Sequence, residues 1–347
     1  WTMRRNTEAF DDYQLMPNYL RDISRVDLGT NVLGSRLDLP FFLAPTGASR
    51  LFHHDKEYAV CRAAEKAGTL YSLSTMATTR LEDIAAASSG PKMFQIYIFK
   101  DRELTREFVE RCKVSNYDAL CLTVDTAIPG NRERDYYTGM GLPPRVTPRN
   151  FFSYATSFHG LFNMARQPEF ELANVSHRGG ALGDNVVSII QYINSQFDSS
   201  LSWDDVTWLR GQWDGPLVIK GLQSVPDVTR ARDLGASAVM VSNHGGRQLE
   251  GTPAPVDCIP ALRDAVGEDL ELIVDGGVRR GTHILKALAL GADACSIGRP
   301  YLYGLAAGGQ AGVERAIEIL RTEVERSLAL LGCNSIADLN SEHIARL

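Results

Sequence analysis

Residues 270–298 read LELIVDGGVRRGTHILKALALGADACSIG. The stretch contains one complete structural unit. Leu272–Asp275 is a short apolar run closed by Gly276-Gly277, and Gly281–Leu290 repeats its apolar residues at helical spacing. Gly291-Ala292 then ends the helix as a glycine C-cap does, and Ala294–Ile297 is a second apolar run. Near-continuous apolar runs fit strands buried on both faces, so the pattern predicts strand–helix–strand in a parallel sheet.

Working outward, the same kind of run recurs at Phe41–Ala44, Leu70–Ser74, Met93–Ile98, Ala119–Val124, Leu217–Lys220 and Ala238–Ser242. Helical patterns lie between them at Tyr58–Ala67, Arg102–Cys112 and Val225–Leu234, the last followed by Gly235-Ala236. Eight strands alternating with helices predict an α/β fold, a (β/α)8 TIM barrel spanning residues 1–347 as a single domain. Most strands follow one another at about the interval of one βα unit. The exception runs from Val124 to Leu217, where one helix and a long insertion are expected after strand 4. The insertion, 142–183, holds Pro143, Pro144, Pro148, Phe151, Phe152, Tyr154, Phe158 and Phe162. It reads as a lid over the site or as a membrane-contact loop, because long loops inside compact domains are commonly functional.

The 347 residues are 44% hydrophobic and 22% charged, enough apolar material for a large core and too much for disorder. A net charge of −6 argues against non-specific nucleic-acid binding. Cys61, Cys112, Cys121, Cys258, Cys295 and Cys333 form no C-x-x-C pair and read as reduced thiols, which fits a cytoplasmic location. No apolar run is long enough for a spanning helix. The chain opens Trp1-Thr2-Met3, so an N-terminal segment is expected to be missing. His53-His54-Asp55 read as loop residues, and no metal is expected.

Catalytic groups of such barrels stand at the C-terminal ends of the strands. Here those ends are Pro45-Thr46-Gly47, Ser74-Thr75-Met76, Gln95-Ile96-Tyr97, Thr123-Val124-Asp125, Lys220-Gly221, Ser242–Arg247, Asp275–Arg279 and Gly298-Arg299. The last two are glycine-rich turns, each with an arginine, where barrels commonly bind phosphate. His244 is the best general base, with Asp125 as a partner for its imidazolium. An isolated histidine is often structural, but Arg247 beside it suits a substrate carboxylate. Arg132 is either a second carboxylate anchor or a surface charge. Lys220 ends an apolar strand and places a cation inside the rim.

These motifs carry a resemblance. Ser-Asn-His-Gly-Gly-Arg-Gln (242–248) is its most specific piece. Ala-Pro-Thr-Gly (44–47), Phe-Gln-Ile-Tyr (94–97), Thr-Val-Asp-Thr (123–126), Asp-Gly-Gly-Val-Arg-Arg-Gly (275–281) and Gly-Arg-Pro (298–300) join it in the same order. Over essentially its whole length the chain resembles the FMN-dependent L-2-hydroxy acid oxidases and dehydrogenases, a family that includes glycolate oxidase and the lactate and mandelate dehydrogenases. The resemblance implies oxidation of a lactate- or mandelate-like L-2-hydroxy acid to the 2-oxo acid. It implies His244 as the catalytic base, paired with Asp125, and Tyr97 hydrogen-bonding near the substrate. Arg247 and Arg132 would bind the substrate carboxylate, and Met76 would shape the side-chain pocket where some members have Trp. Pro45, Thr46, Gly47, Ser74, Gln95, Thr123 and Ser242 would line the flavin, with Lys220 beside its N1 and O2. Asp275, Gly277, Arg279, Gly298 and Arg299 would complete the FMN site at the phosphate end.

The family's active-site Tyr in a segment before the barrel is not in this sequence, which is the second reason to expect a missing N-terminus. Gly47 stands where oxidases of the family often have Ala, which implies a dehydrogenase using a quinone or cytochrome acceptor. Arg145, Arg149, Arg166 and Arg178 in and around the insertion outnumber Glu169 and Glu171, which suits peripheral contact with an anionic membrane, on its inner face. A homotetramer is implied by the resemblance alone. The alternatives are an oxidase that makes hydrogen peroxide, an FMN barrel of another reaction class, and a barrel without activity.

Overall fold

The computed structural model describes residues 1–128, 130, 131, 133, 166, 170–177 and 192–347. Eight parallel strands close a barrel in chain order, and the last pairs back onto the first. They are β1 (Phe41–Leu43), β2 (Tyr71–Ser74), β3 (Lys92–Ile96), β4 (Ala119–Thr123), β5 (Leu217–Leu222), β6 (Ala238–Ser242), β7 (Glu271–Asp275) and β8 (Ala294–Ile297). Each expected strand falls within two residues of the observed one. The helices that follow the strands are α1 (Lys56–Lys66), α2 (Leu81–Ala87), α3 (Arg102–Val114), α4 (Trp203–Arg210), α5 (Val225–Asp233), α6 (Pro255–Val266), α7 (Gly281–Ala289) and α8 (Arg299–Leu330). The α8 helix is bent at Gly308 and Gly309, whose backbones leave the helical region. Of the insertion at 142–183, residues 166 and 170–177 are among those described, and the rest lie outside them.

Strand periodicity places the site. Phe42, Met93, Cys121, Val218, Met240, Ile273 and Ala294 form one dry cluster inside the barrel. Two residues further along a strand, a side chain points the same way and stands one layer higher. From six of these seven positions that step reaches Gln95, Thr123, Lys220, Ser242, Asp275 and Ser296, and all six are buried. The barrel interior therefore changes from apolar to polar toward its C-terminal mouth.

The N-terminal mouth is closed by a hairpin that the sequence reading did not contain, Thr30–Val32 paired with Ser35–Leu37. Its turn residues Leu33 and Gly34 both have positive φ, 52° and 78°, as a two-residue type I′ turn requires. Leucine is strained there, but Leu33 is buried in the barrel cluster with Val32 and Leu37, and its N–H donates to the Glu271 carboxylate at 3.0 Å. Burial holds the strained residue in place.

The chain's first residues pack beside the other mouth. A helix at Thr2–Glu8 leads into a short ribbon in which Tyr13–Leu15 pairs with Ile344–Arg346. Phe10 stacks on His283 of α7, with centroids 4.4 Å apart and planes at 12°. Burial pushes the His283 imidazole down to about 4 from its ordinary 6.5. The unfolded chain thus binds a proton that the folded chain refuses. This contribution to stability is complete above pH 6.5 and is lost as pH falls toward 4. Urea titrations across that window should show a His283-dependent loss approaching about 1.4 kcal/mol per pH unit. His283→Leu should flatten it, and an equal slope in both proteins would contradict this account.

Candidate active site

The polar layer is organised by a buried ion pair. Lys220 Nζ lies 2.8 Å from Asp275 Oδ2 and donates to Ser242 Oγ at 2.9 Å. Ser242 Oγ donates to Asp275 Oδ2 at 2.7 Å, and Ser296 Oγ donates to Asp275 Oδ1. Burial alone would lower the Lys220 pKa, but Asp275 and then Asp125 outweigh it, and the net shift is upward. Burial would raise Asp275, and Lys220 outweighs it in turn, leaving the carboxyl below its ordinary range. A protonated Lys220 is therefore fixed in the barrel mouth, paired and buried.

Above it, the turn after β6 carries three successive left-handed residues, His244, Gly245 and Gly246, with φ of 56°, 67° and 73°. The His244 N–H donates to Ser242 Oγ at 3.0 Å, which ties the turn to the ion pair. His244 Nδ1 lies 2.9 Å from Asp125 Oδ1. Asp125 fits because β5 has a bulge at Gly221, where φ is +109°. A Cβ on Gly221 would stand 2.7 Å from Asp125 Cβ. Arg247 lies exposed on the same turn, and Arg132 lies outside the described residues.

The other strand ends converge on this mouth. Ser74 Oγ donates to Gln95 Oε1 at 3.0 Å and accepts the Met76 N–H at 3.1 Å. Met76 packs against Gly47, where a Cβ would come 2.9 Å from Met76 Cβ. Pro45 precedes Thr46, whose Oγ1 is hydrogen-bonded at 2.5 Å to the hydroxyl of Tyr301 in α8. Tyr97, just beyond β3, packs edge-on against Phe197. His53, His54 and Asp55 lie in the loop before α1, and their ligating atoms come within 4.8 Å of one another.

Arg279 and Arg299 form the positive side of the mouth. Arg279 Nη1 donates to the Val278 carbonyl at 2.6 Å, and Arg299 Nη2 to that of Gly245 at 2.9 Å. Neither is paired with a carboxylate among the described residues. Burial, and then repulsion from Arg299, depress the Arg279 pKa. Two guanidiniums held together without an acid, beside Gly298 and the start of α8, suit a bound dianion. Gly277 also makes room for the N-terminal helix. A Cβ there would lie 1.8 Å from the carbonyl oxygen of Asn6, in the N-terminal helix.

The family model for FMN-dependent dehydrogenases matches residues 1–346. The chain belongs to that family. It is 42% identical over 347 residues to an L-lactate oxidase from Nostoc sp., covering 99% of this chain and 89% of that protein. It is 39% identical over 345 residues to glycolate oxidase 3 of Oryza sativa subsp. indica, covering 99% and 88%. Among solved structures, the monotopic membrane protein (S)-mandelate dehydrogenase superposes with a TM-score of 0.95 at 33% identity, covering 100% of this chain and 91% of that one. The protein is thus an oxidoreductase of the 2-hydroxy acid family that acts on a CH–OH group and uses FMN.

The residues present fit that cofactor. Thr123 Oγ1 and Asp125 Oδ2 are buried and have no hydrogen-bond partner among the described residues, which leaves both able to bond a ligand in the mouth. The two neighbouring arginines supply positive charge suited to the FMN phosphate. Sequence reading missed Ser296, Gly221 and the Asn6–Asn243 pair. Those two amides exchange hydrogen bonds of 2.7 Å in both directions, and Asn243 Oδ1 also accepts the Gly246 N–H at 3.0 Å. Gly221, after Lys220, and Asn243, inside the 242–248 motif, stood at strand ends already singled out, but neither had been given a role. Gly221→Ala should displace Asp125 and strain the backbone, at about 1–3 kcal/mol of stability. It should also slow 2-hydroxy acid oxidation by about tenfold or more. Denaturant midpoints and turnover both matching wild type would contradict the role given to the bulge.

Proposed function

We propose that this enzyme oxidises an L-2-hydroxy acid of the lactate or mandelate type to the 2-oxo acid and passes the electrons to a quinone or cytochrome. The observation that carries the reading is His244 bonded to Asp125 above the buried Lys220, with Arg247 on the same turn. Asp125 accepts the Nδ1 proton of His244, which leaves the Nε2 lone pair as the base. Nε2 then takes one of the two protons that leave as the CH–OH group becomes C=O, the other going with the electron pair to the acceptor, and Asp125 stabilises the imidazolium formed. Arg247, joined by Arg132, holds the substrate carboxylate, while Tyr97 and Met76 bound the space around it. FMN, when bound, supplies the two-electron acceptor.

Pro45, Thr46, Gly47, Ser74, Gln95, Thr123 and Ser242 would line the flavin ring and its ribityl chain. Lys220, kept charged by Asp275, offsets negative charge developing nearby. Arg279 and Arg299, with the backbone at Gly277 and Gly298, would hold the phosphate. His244→Asn should retain FMN and slow anaerobic reduction of the flavin by about 10²–10⁴-fold or more. Near-normal reduction in that variant would refute the base assignment.

For the acceptor, Gly47 is the supporting residue. The alanine that family oxidases often carry there would press on Met76, with 2.9 Å between the two Cβ atoms and 3.2 Å to the Met76 carbonyl oxygen. The likeness to lactate and glycolate oxidases favours the opposite reading, with oxygen as acceptor and peroxide as product. We propose peripheral membrane contact through 142–183 and a homotetramer. No described helix is long and apolar enough to cross a membrane. Reoxidation should be fast with a quinone analogue and slow with dissolved oxygen. Oxygen consumption as fast as quinone reduction would overturn the dehydrogenase reading.

A further inference from the structure

We infer that Gln248 is a positioning residue for the base, locking the loop that carries Asp125 to the loop that carries His244. The inference rests on the function proposed above. In the barrel β5 lies between β4 and β6, so no ladder hydrogen bond sets the end of β4 against the end of β6. At its mouth-facing end β5 is also irregular, with its register shifting between Lys220 and Leu222. Two catalytic groups thus project from non-adjacent strands across a bulge, and side chains must fix their relative position.

Gln248 does this with its whole carboxamide. Nε2 donates to the carbonyl oxygen of Asp125 at 2.7 Å and to that of Ile128 at 3.1 Å. Oε1 accepts the N–H of Gly130 at 2.9 Å. A flipped amide would set oxygen against two carbonyls and an NH₂ against an N–H, so only this orientation satisfies all three partners. The loops touch closely: a Cβ on Gly130 would lie 2.2 Å from the Arg247 carbonyl oxygen. Asp125 is consequently held at both ends, its carbonyl by Gln248 and its carboxylate by His244. Without Gln248, the 2.9 Å His244–Asp125 contact loses the clamp on the main chain of Asp125. A base displaced by about 1 Å loses on the order of 10²-fold in rate.

The test compares the FMN-loaded full chain with Gln248→Leu and Gln248→Glu. Leu keeps the bulk and deletes the three hydrogen bonds. Glu sets a carboxylate oxygen against two carbonyl oxygens. The first readout is hydrogen exchange of the peptide containing Gly130, which should speed up in both variants. The second is the limiting rate of anaerobic flavin reduction by L-lactate or L-mandelate, which should fall about 10–100-fold with Leu and further with Glu. The third repeats Gln248→Leu in an Asp125→Asn background. A residue acting through Asp125 should there cost less than about threefold more, whereas a merely structural one would multiply the losses. Unchanged exchange at Gly130, a Leu variant within about threefold of wild type, or fully multiplicative losses would each overturn the inference. If wild type itself is not reduced by any 2-hydroxy acid, the functional reading fails, and the exchange result alone decides whether the clamp exists.

Discussion

The buried pair of Lys220 and Asp275 is the interaction on which the candidate site depends. Removing an ammonium and a carboxylate from water costs several kcal/mol each, and only close pairing with further hydrogen bonds offsets it. Here the pairing distance is 2.8 Å, and Ser242 and Ser296 supply the further bonds. The four residues come from β5, β6, β7 and β8, so the pair fastens half of the barrel mouth. Removing one partner would strand the other charge, at about 3–5 kcal/mol. An apolar replacement of both can pack as well, but it would leave no cation in the mouth and would remove both partners of the Ser242 hydroxyl that lies under the His244 turn.

That turn also stores strain. A non-glycine residue in the left-handed region persists only when its surroundings over-determine it, and His244 is held from three directions. Its N–H is bound by Ser242, its ring by Asp125, and the turn behind it by Asn243. Asn243 is in turn paired with Asn6, so the first helix of the chain braces the loop that presents the histidine. Gly277 admits that helix by having no side chain. His244 is thus positioned by residues that span the sequence from Asn6 to Gly277.

Much of this was legible in the sequence because barrel strands announce themselves locally. Runs such as Ala238–Ser242 and Ala294–Ile297 are buried on both faces, so their boundaries follow from composition. The polar ends could be read off because each strand stops being apolar at the mouth. The hairpin at Thr30–Leu37 was not legible. Its strands are three residues each, and its turn uses a leucine at positive φ that only burial in the assembled barrel explains. Nor was the Asn6–Asn243 pair, since nothing local tells an asparagine which distant amide it will meet. Gln248 stood inside the quoted motif, but its partners are main-chain atoms of another loop and carry no side-chain signature. Arg132 and most of the insertion lie outside the described residues.

The account's central claim is that one barrel mouth binds FMN and oxidises the L form of a 2-hydroxy acid there. The most direct measurement is the visible spectrum of the purified protein before and after anaerobic mixing with each enantiomer of lactate and mandelate. The account predicts a yellow protein whose flavin bands bleach with an L enantiomer and persist with its D counterpart. A colourless protein that takes up no added FMN, or a yellow one that no 2-hydroxy acid bleaches, would contradict it.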